Sequence, residues 1–279
     1  MTLPRTIVIG PMKCGTTWLN GYLLERGDVC LPSGVKETFY FDRNYDLGPR
    51  WYRACFAHYD AARHRTVAEV APSYFHSDDA PQRIRRELGP VALVVIVRDP
   101  VRRAWSHYCH MLRYGYTRLP LRQAAERFTA ILDASRYSER IATWAEHFDA
   151  ESISICSFEK LHDDEAGFCR DVCRAMRIDF AEPADDARRE RNTASTSASV
   201  HVAGASRVAA HALRRRRLHF VVNLAKRVGV KRLVYGGGAP PPSPSAEDLA
   251  WLKDSLRPDI RALGRLVNVR EHRWIEEYL

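Results

Sequence analysis

The sequence predicts an α/β fold, a single domain with a central parallel sheet flanked by helices, and three observations carry that expectation. An apolar run, Thr6 to Ile9, ends in a Gly-containing turn and passes into Thr16 to Leu24, where Leu19, Tyr22 and Leu23 share one helical face. The pattern returns at Val91 to Val97, a continuous apolar run suited to a strand buried on both faces, followed by Arg98, Asp99, Pro100 and the helical stretch Val101 to Leu112. Ser152 to Ser157 then reads as a strand ahead of a helical stretch that includes Phe168 to Met176. Strands alternating with helices form parallel sheets covered on both sides. Val67 to Val70 adds a short strand, Ala71 to Ser77 a loop, and Ala246 to Leu263 a late helix before Trp274.

At 279 residues and 31.9 kDa, with 46% hydrophobic residues, the chain suits one enzyme-sized domain over 1–279. No apolar run reaches the ~18 to 20 residues that span a bilayer, and MTLPRT leads straight into a strand, so the expected location is cytoplasmic. Seven cysteines are odd in number and lack paired CxxC spacing, which points to reduced thiols. Cys169 and Cys173 lie four apart in a helical stretch and read as packing residues. The net charge of +9 is concentrated, because Arg191 to Ala246 holds ten Lys or Arg and no Asp or Glu. Two helix-breaking stretches, Asn192 to Val200 and Gly236 to Ser245, bracket it, which suggests a basic insert or lid at about 192–245.

Two turns can do chemistry. IVIGPMKCGTTWL places Gly10, Lys13, Gly15, Thr16 and Thr17 where a buried strand becomes a helix, so close backbone approach and unpaired N–H groups make an anion site. It departs from a nucleotide-triphosphatase loop, because the lysine precedes the second glycine and threonine occupies the usual lysine position. The second turn, VVIVRDPVRRAWSHY, puts Arg98 at a strand end and Ser106 about two helical turns beyond it. Arginine's planar fork of donors matches phosphate oxygens. The competing reading for Arg98, Arg102 and Arg103 is pairing with Asp99 or a solvated helix face.

PMKCGTTWL resembles the 5′-phosphosulfate loop of sulfotransferases that use 3′-phosphoadenosine-5′-phosphosulfate (PAPS), and RDPVRRAWSHY resembles their 3′-phosphate motif. The likeness extends to SICSFEKL near residue 157 and to LRPDIRALGRLVNVREHRW. It implies a P-loop-like domain and PAPS as sulfuryl donor, with adenosine 3′,5′-bisphosphate as product and no metal requirement. Pro11, Lys13, Cys14, Gly15, Thr16, Thr17, Arg98 and Ser106 would hold the donor. Lys13 would stabilise the leaving group, and Trp18 would either pack near the adenine or join the core.

KETFYFD, Lys36 to Asp42, resembles a stretch of the carbohydrate-type branch that includes heparan sulfate sulfotransferases, where the residue matching Glu37 takes the acceptor proton. A carboxylate serves as general base when desolvation and neighbours tune it. EVAPSYF, Glu69 to Phe75, resembles the family's stretch beside the acceptor, which implies acceptor contacts from Lys36, Ser73 and Tyr74. Val70 stands where heparan sulfate enzymes commonly have lysine, so a second catalytic lysine does not carry over and a sulfated polysaccharide is a weaker expectation. His76 and His107 offer a competing base, and His107-x-x-His110 a remote metal pair.

The expected acceptor is a saccharide, glycolipid or secondary metabolite, and the Arg- and Ala-rich composition without a Golgi-type anchor suits a bacterial enzyme. Two rival readings remain. A P-loop kinase would need lysine at Thr16 and a metal-holding acid, for which Asp99 is the one weak candidate. A basic module would bind nucleic acid or an anionic membrane through Arg214 to Arg217, Lys226, Arg227, Lys231 and Arg232. No nucleic-acid partner is expected of the enzyme, and peripheral membrane contact would involve 207–235.

Overall fold

A computed structural model describes residues 3–183, 200–227, 242–267 and 272–278. Five strands, β1 (Thr6–Gly10), β2 (Val29–Cys30), β3 (Thr66–Val70), β4 (Ala92–Val97) and β5 (Ile153–Ser157), form one sheet in the order β2-β3-β1-β4-β5. Every strand pair is parallel, with Val8 opposite Val70 on one side and Val94 on the other. The expected α/β class and parallel sheet are therefore present. The two-residue β2 is an addition, too short to leave a periodic signal.

Between the strands run α1 (Thr16–Arg26), α2 (Gly48–Ala54), α3 (Ala80–Leu88), α4 (Pro100–Arg113), α5 (Leu121–Arg127), α6 (Ala130–Asp133) and α7 (Tyr137–Ala145). After β5 come α8 (Lys160–Asp163), α9 (Glu165–Met176), α10 (Val200–Arg215), α11 (His219–Arg227) and α12 (Ala246–Leu263). The period-two alternation of the strands divides the core. Ile7, Ile9, Val67, Leu93, Val95 and Val97 pack with Val101, Ala104 and Tyr108 of α4, Trp144 of α7, and Leu252 and Leu256 of α12. Val8, Ala68, Val70, Val94 and Ile96 pack on the other face against Leu19 and Leu23 of α1 and Phe168 and Val172 of α9. Helices on both faces leave the carboxyl ends of β1, β3 and β4 as the place for a ligand.

Of the proposed basic insert, 192–199 and 228–241 lie outside the described residues, as do residues 228–235 of the suggested membrane contact. The described part is two helices seated on the domain. The Trp51 indole donates to the Arg215 carbonyl at 3.0 Å, Arg217 donates to the Ala54 carbonyl at 2.7 Å, and Arg215 pairs with Asp46.

Gly10 is the backbone position on which the sheet-to-site junction turns. Its φ of +105° is left-handed, and a Cβ there would meet Pro72 Cα at 2.6 Å. Gly10→Ala should therefore lower unfolding stability by about 2 kcal/mol or more, measured by urea titration.

Candidate active site

Because β1 and β4 are neighbours in the sheet, the turns that follow them emerge side by side. In the first turn Gly10, Lys13 and Gly15 all have positive φ, which folds the backbone tightly ahead of α1. No side chain caps α1 and its first turn carries no acid, so its leading N–H groups point at the turn without a capping partner. A cleft of about 680 Å3 opens there. Lys13, Gly15, Thr16, Thr17 and Trp18 line it together with Arg98, Ser106, Lys36 and Glu37. Most of the residues singled out in the sequence thus meet at one place.

The two turns are physically joined. Arg98 Nη1 donates to the Lys13 carbonyl at 3.1 Å, and its guanidinium lies 4.7 Å from the centre of the Phe158 ring. Burial, followed by the charges of Arg98, Arg113 and Arg103, lowers the Lys13 ammonium to about 8. Like charges have been gathered around the cleft. Asp99, in contrast, is committed to structure: its carboxylate caps α4 by accepting from Val101 N at 2.9 Å and Arg102 N at 3.0 Å. Arg102 is an exposed partner of Asp99 at 3.8 Å. Arg103 is fully buried, donating to Ser135 Oγ at 2.5 Å and to the Ile131 carbonyl, so it fits neither a phosphate contact nor a solvated face.

Lys36 reaches across from the opposite wall. Its ammonium donates to Thr16 Oγ1 at 3.1 Å and Thr17 Oγ1 at 3.4 Å and lies 3.5 Å from Glu37 Oε1. Burial raises the Glu37 carboxyl above its ordinary value, opposed by Lys36, and burial lowers Lys36. The segment is held from below by Glu69, a fully buried carboxylate at the end of β3. It accepts from Thr38 N at 3.0 Å, Thr38 Oγ1 at 2.6 Å, Tyr52 hydroxyl at 2.8 Å and Tyr74 hydroxyl at 3.2 Å. Burial pushes it up to about 7 against those bonds.

Several expected contacts fall elsewhere. Tyr74 and Ser73 are buried beneath the cleft rather than facing an acceptor, because the chain coils into a 3₁₀ turn at Tyr74–His76 and carries their side chains inward. The Cys14 thiol is fully buried, 4.0 Å from the Tyr137 hydroxyl, and burial pushes it up to about 12. Its contribution to the turn reduces to its backbone, and buried Pro11 has no N–H to offer. His76 is absent from the cleft lining, and His107 is buried with Nδ1 3.1 Å from the Ala130 carbonyl. Val70 packs in the core. Trp18 does two things: it lines the cleft and stacks on Tyr22 with ring centres 5.9 Å apart. Cleft-lining residues to which sequence reasoning assigned no donor or acceptor role are Met12, Pro72, His110, Phe158, Leu161, His162 and Glu165. The i, i+4 step from Ser106 to His110 on α4 was the available signal.

The sulfotransferase domain model matches residues 3–199. The chain belongs to the sulfotransferase family. It is 33% identical over 174 residues to human heparan sulfate glucosamine 3-O-sulfotransferase 3B1, a match covering 59% of this chain and 44% of that protein. To mouse bifunctional heparan sulfate N-deacetylase/N-sulfotransferase 4 it is 28% identical over 197 residues, 63% of this chain and 22% of the relative. The chain thus spans less than half the length of these relatives. The solved sulfotransferase of Alicyclobacillus acidocaldarius shares the fold, with a TM-score of 0.57 and 22% identity over 68% of this chain and 90% of that one.

Glu69 gives a testable signature. A carboxyl raised from 4.5 to about 7 in the folded state binds more protons there than in the unfolded chain, so stability falls as pH rises from about 4.5 to 7. Glu69→Gln should flatten this slope, whose full span is at most about 3 kcal/mol, in urea titrations at several pH values.

Proposed function

We propose that this sulfotransferase moves the sulfuryl group of PAPS to a hydroxyl, or amine, of a saccharide, glycolipid or secondary metabolite. One observation carries the reading: the Lys13 turn and the Arg98 turn line a single cleft that also contains Glu37. Two turns that each bring a cation to one cleft suit a donor charged at both ends. The α1 N–H groups and Lys13 would take the 5′-phosphosulfate, Arg98 and Ser106 the 3′-phosphate, and Trp18 the adenine. The named substrates of the heparan sulfate relatives favour a saccharide among the acceptors. All seven cysteines are free thiols, which suits a reducing, cytoplasmic setting.

PAPS supplies a sulfur centre bonded to a phosphate oxygen that can leave. Glu37 takes the acceptor proton while the acceptor's lone pair forms the new bond to sulfur. The electron pair of the broken S–O bond stays on the departing phosphate oxygen, where Lys13 and the turn's N–H groups meet the charge. Lys13 thereby fills the place that a metal ion holds in kinases, and Asp99, the sole acid that favoured a kinase reading, is spent on capping α4.

Lys13→Ala and Arg98→Ala should each weaken adenosine 3′,5′-bisphosphate binding about tenfold or more by calorimetry. Glu37→Gln should cut kcat by roughly 10²–10⁴ while product-nucleotide affinity stays within about twofold. Near-normal turnover in that variant would remove Glu37 as the base. Lys13 is charged below about 8 and loses its proton above, so nucleotide affinity should hold below that pH and fall as pH rises through it. An affinity that climbed through pH 8 would contradict the placement of Lys13 on the donor.

A further inference from the structure

A second cavity, about 360 Å3, lies between the Pro32–Phe39 loop and α11, and Lys36 and Glu37 line it as they line the donor cleft. We propose that this pocket is the acceptor subsite and that it receives a hydroxylated ring bearing an apolar tail. The proposal rests on the sulfotransferase reading above and names the acceptor class for that same reaction.

The first argument is position. Lys36 and Glu37 belong to both cavities, so a molecule in the second pocket is separated from the donor cleft only by the segment that carries the proposed base. The second is unmet hydrogen bonding. Asn20 Oδ1 and both ring nitrogens of His219 are buried without a hydrogen-bond partner among the described residues, and both side chains line this pocket. Buried polar atoms are nearly always paired, so three orphans on two residues that line one cavity are hydrogen-bonding capacity that a side-chain rotation would turn toward a ligand's hydroxyls. His219 is kept neutral by burial and by Arg214 and Arg217, which leaves one ring nitrogen to donate and one to accept. A hydroxyl does both.

The third argument is the apolar part of the wall. Leu24, Pro32, Val35, Phe39 and Val222 line the pocket, and Glu37 is its one acid. Leu24 among them is 59% exposed, so an apolar tail leaving the pocket has this side chain to lie against. A polyanionic chain would instead need a row of free cations, whereas the pocket offers Arg214 and a Lys36 already bonded to Thr16, Thr17 and Glu37. The pocket is also held in shape. Asn223 donates to the Gly34 carbonyl at 3.0 Å, and a Cβ at Gly34 would press on His219 Cβ at 3.2 Å, so glycine lets α11 close over the loop. His219 and Val222 lie beyond the residues 3–199 matched by the family model.

The test uses octyl β-glucoside, glucose and a heparan sulfate oligosaccharide as acceptors with labelled PAPS, together with calorimetric binding of adenosine 3′,5′-bisphosphate on the same preparations. Octyl glucoside should be sulfated with a kcat/KM at least about tenfold above that of glucose, by the added apolar burial. His219→Ala and Asn20→Ala should each raise the octyl glucoside KM about tenfold, the effect of one lost hydrogen bond, with kcat and nucleotide affinity within about twofold. Retained nucleotide affinity also certifies that each variant is folded. The subsite is overturned if a nucleotide-binding wild type ignores octyl glucoside or treats it like glucose. It is equally overturned if both variants keep the wild-type KM, or if only the heparan sulfate oligosaccharide is sulfated. A wild type that fails to bind the nucleotide would remove the sulfotransferase reading itself.

Discussion

The hydrogen bond from Arg98 to the Lys13 carbonyl is the interaction on which the site depends, since it joins the two turns that make the cleft. It exists because β1 and β4 are parallel neighbours and end at the same edge of the sheet. The left-handed backbone at Gly10, Lys13 and Gly15 then aims the turn and the start of α1 into shared space. Holding Arg98 and Lys13 so close has an electrostatic consequence. Burial, and then the charges of Arg98, Arg113 and Arg103, depress Lys13, so like charges repel at the turn and a multiply charged anion would relieve them. Folding energy from the sheet keeps these cations together until a ligand neutralises them.

Glu69 does for the opposite wall what Arg98 does for the donor side. By accepting from Thr38, Tyr52 and Tyr74 it fixes the backbone immediately after Glu37 against β3. Thr38 follows Glu37 directly, so the proposed base is anchored one residue from a buried hub. Removing one partner from such a network leaves other buried groups unmatched, which makes the hub stiff. Rigidity here would keep the proposed general base within reach of its proton.

The centre of the sheet was legible because strands buried on both faces, β1 and β4, read as unbroken apolar runs, and β1, β3, β4 and β5 all lie within a residue or so of their expected positions. The late helix Ala246–Leu263 was equally plain, and the structure adds its capping box from Ser245 and Asp248. The site was legible where chemistry follows local pattern, as at Lys13, Gly15 and Arg98. It was hidden where function depends on distant pairing. Glu69 reads as one acid in a short strand, and nothing local reveals that four donors converge on it. Arg103 and Arg102 are adjacent in sequence, yet one is buried and the other exposed, because only helix phase separates them. Asn20 and His219 come together only when α11 folds back over the loop at Gly34.

The threonine that breaks the nucleotide-triphosphatase pattern now has a physical account. In that pattern a lysine within the turn supplies charge to the phosphates; here Thr16 stands in its place and accepts from Lys36, which arrives from the opposite wall. The cation at the start of α1 is therefore attached to the same segment as Glu37 and lies 3.5 Å from its carboxylate. Charge at the turn and the proton state of Glu37, the proposed base, are thus coupled through one ammonium group. An anion seated on the turn would draw on the Lys36 charge that opposes the effect of burial on Glu37, and so raise the affinity of Glu37 for a proton.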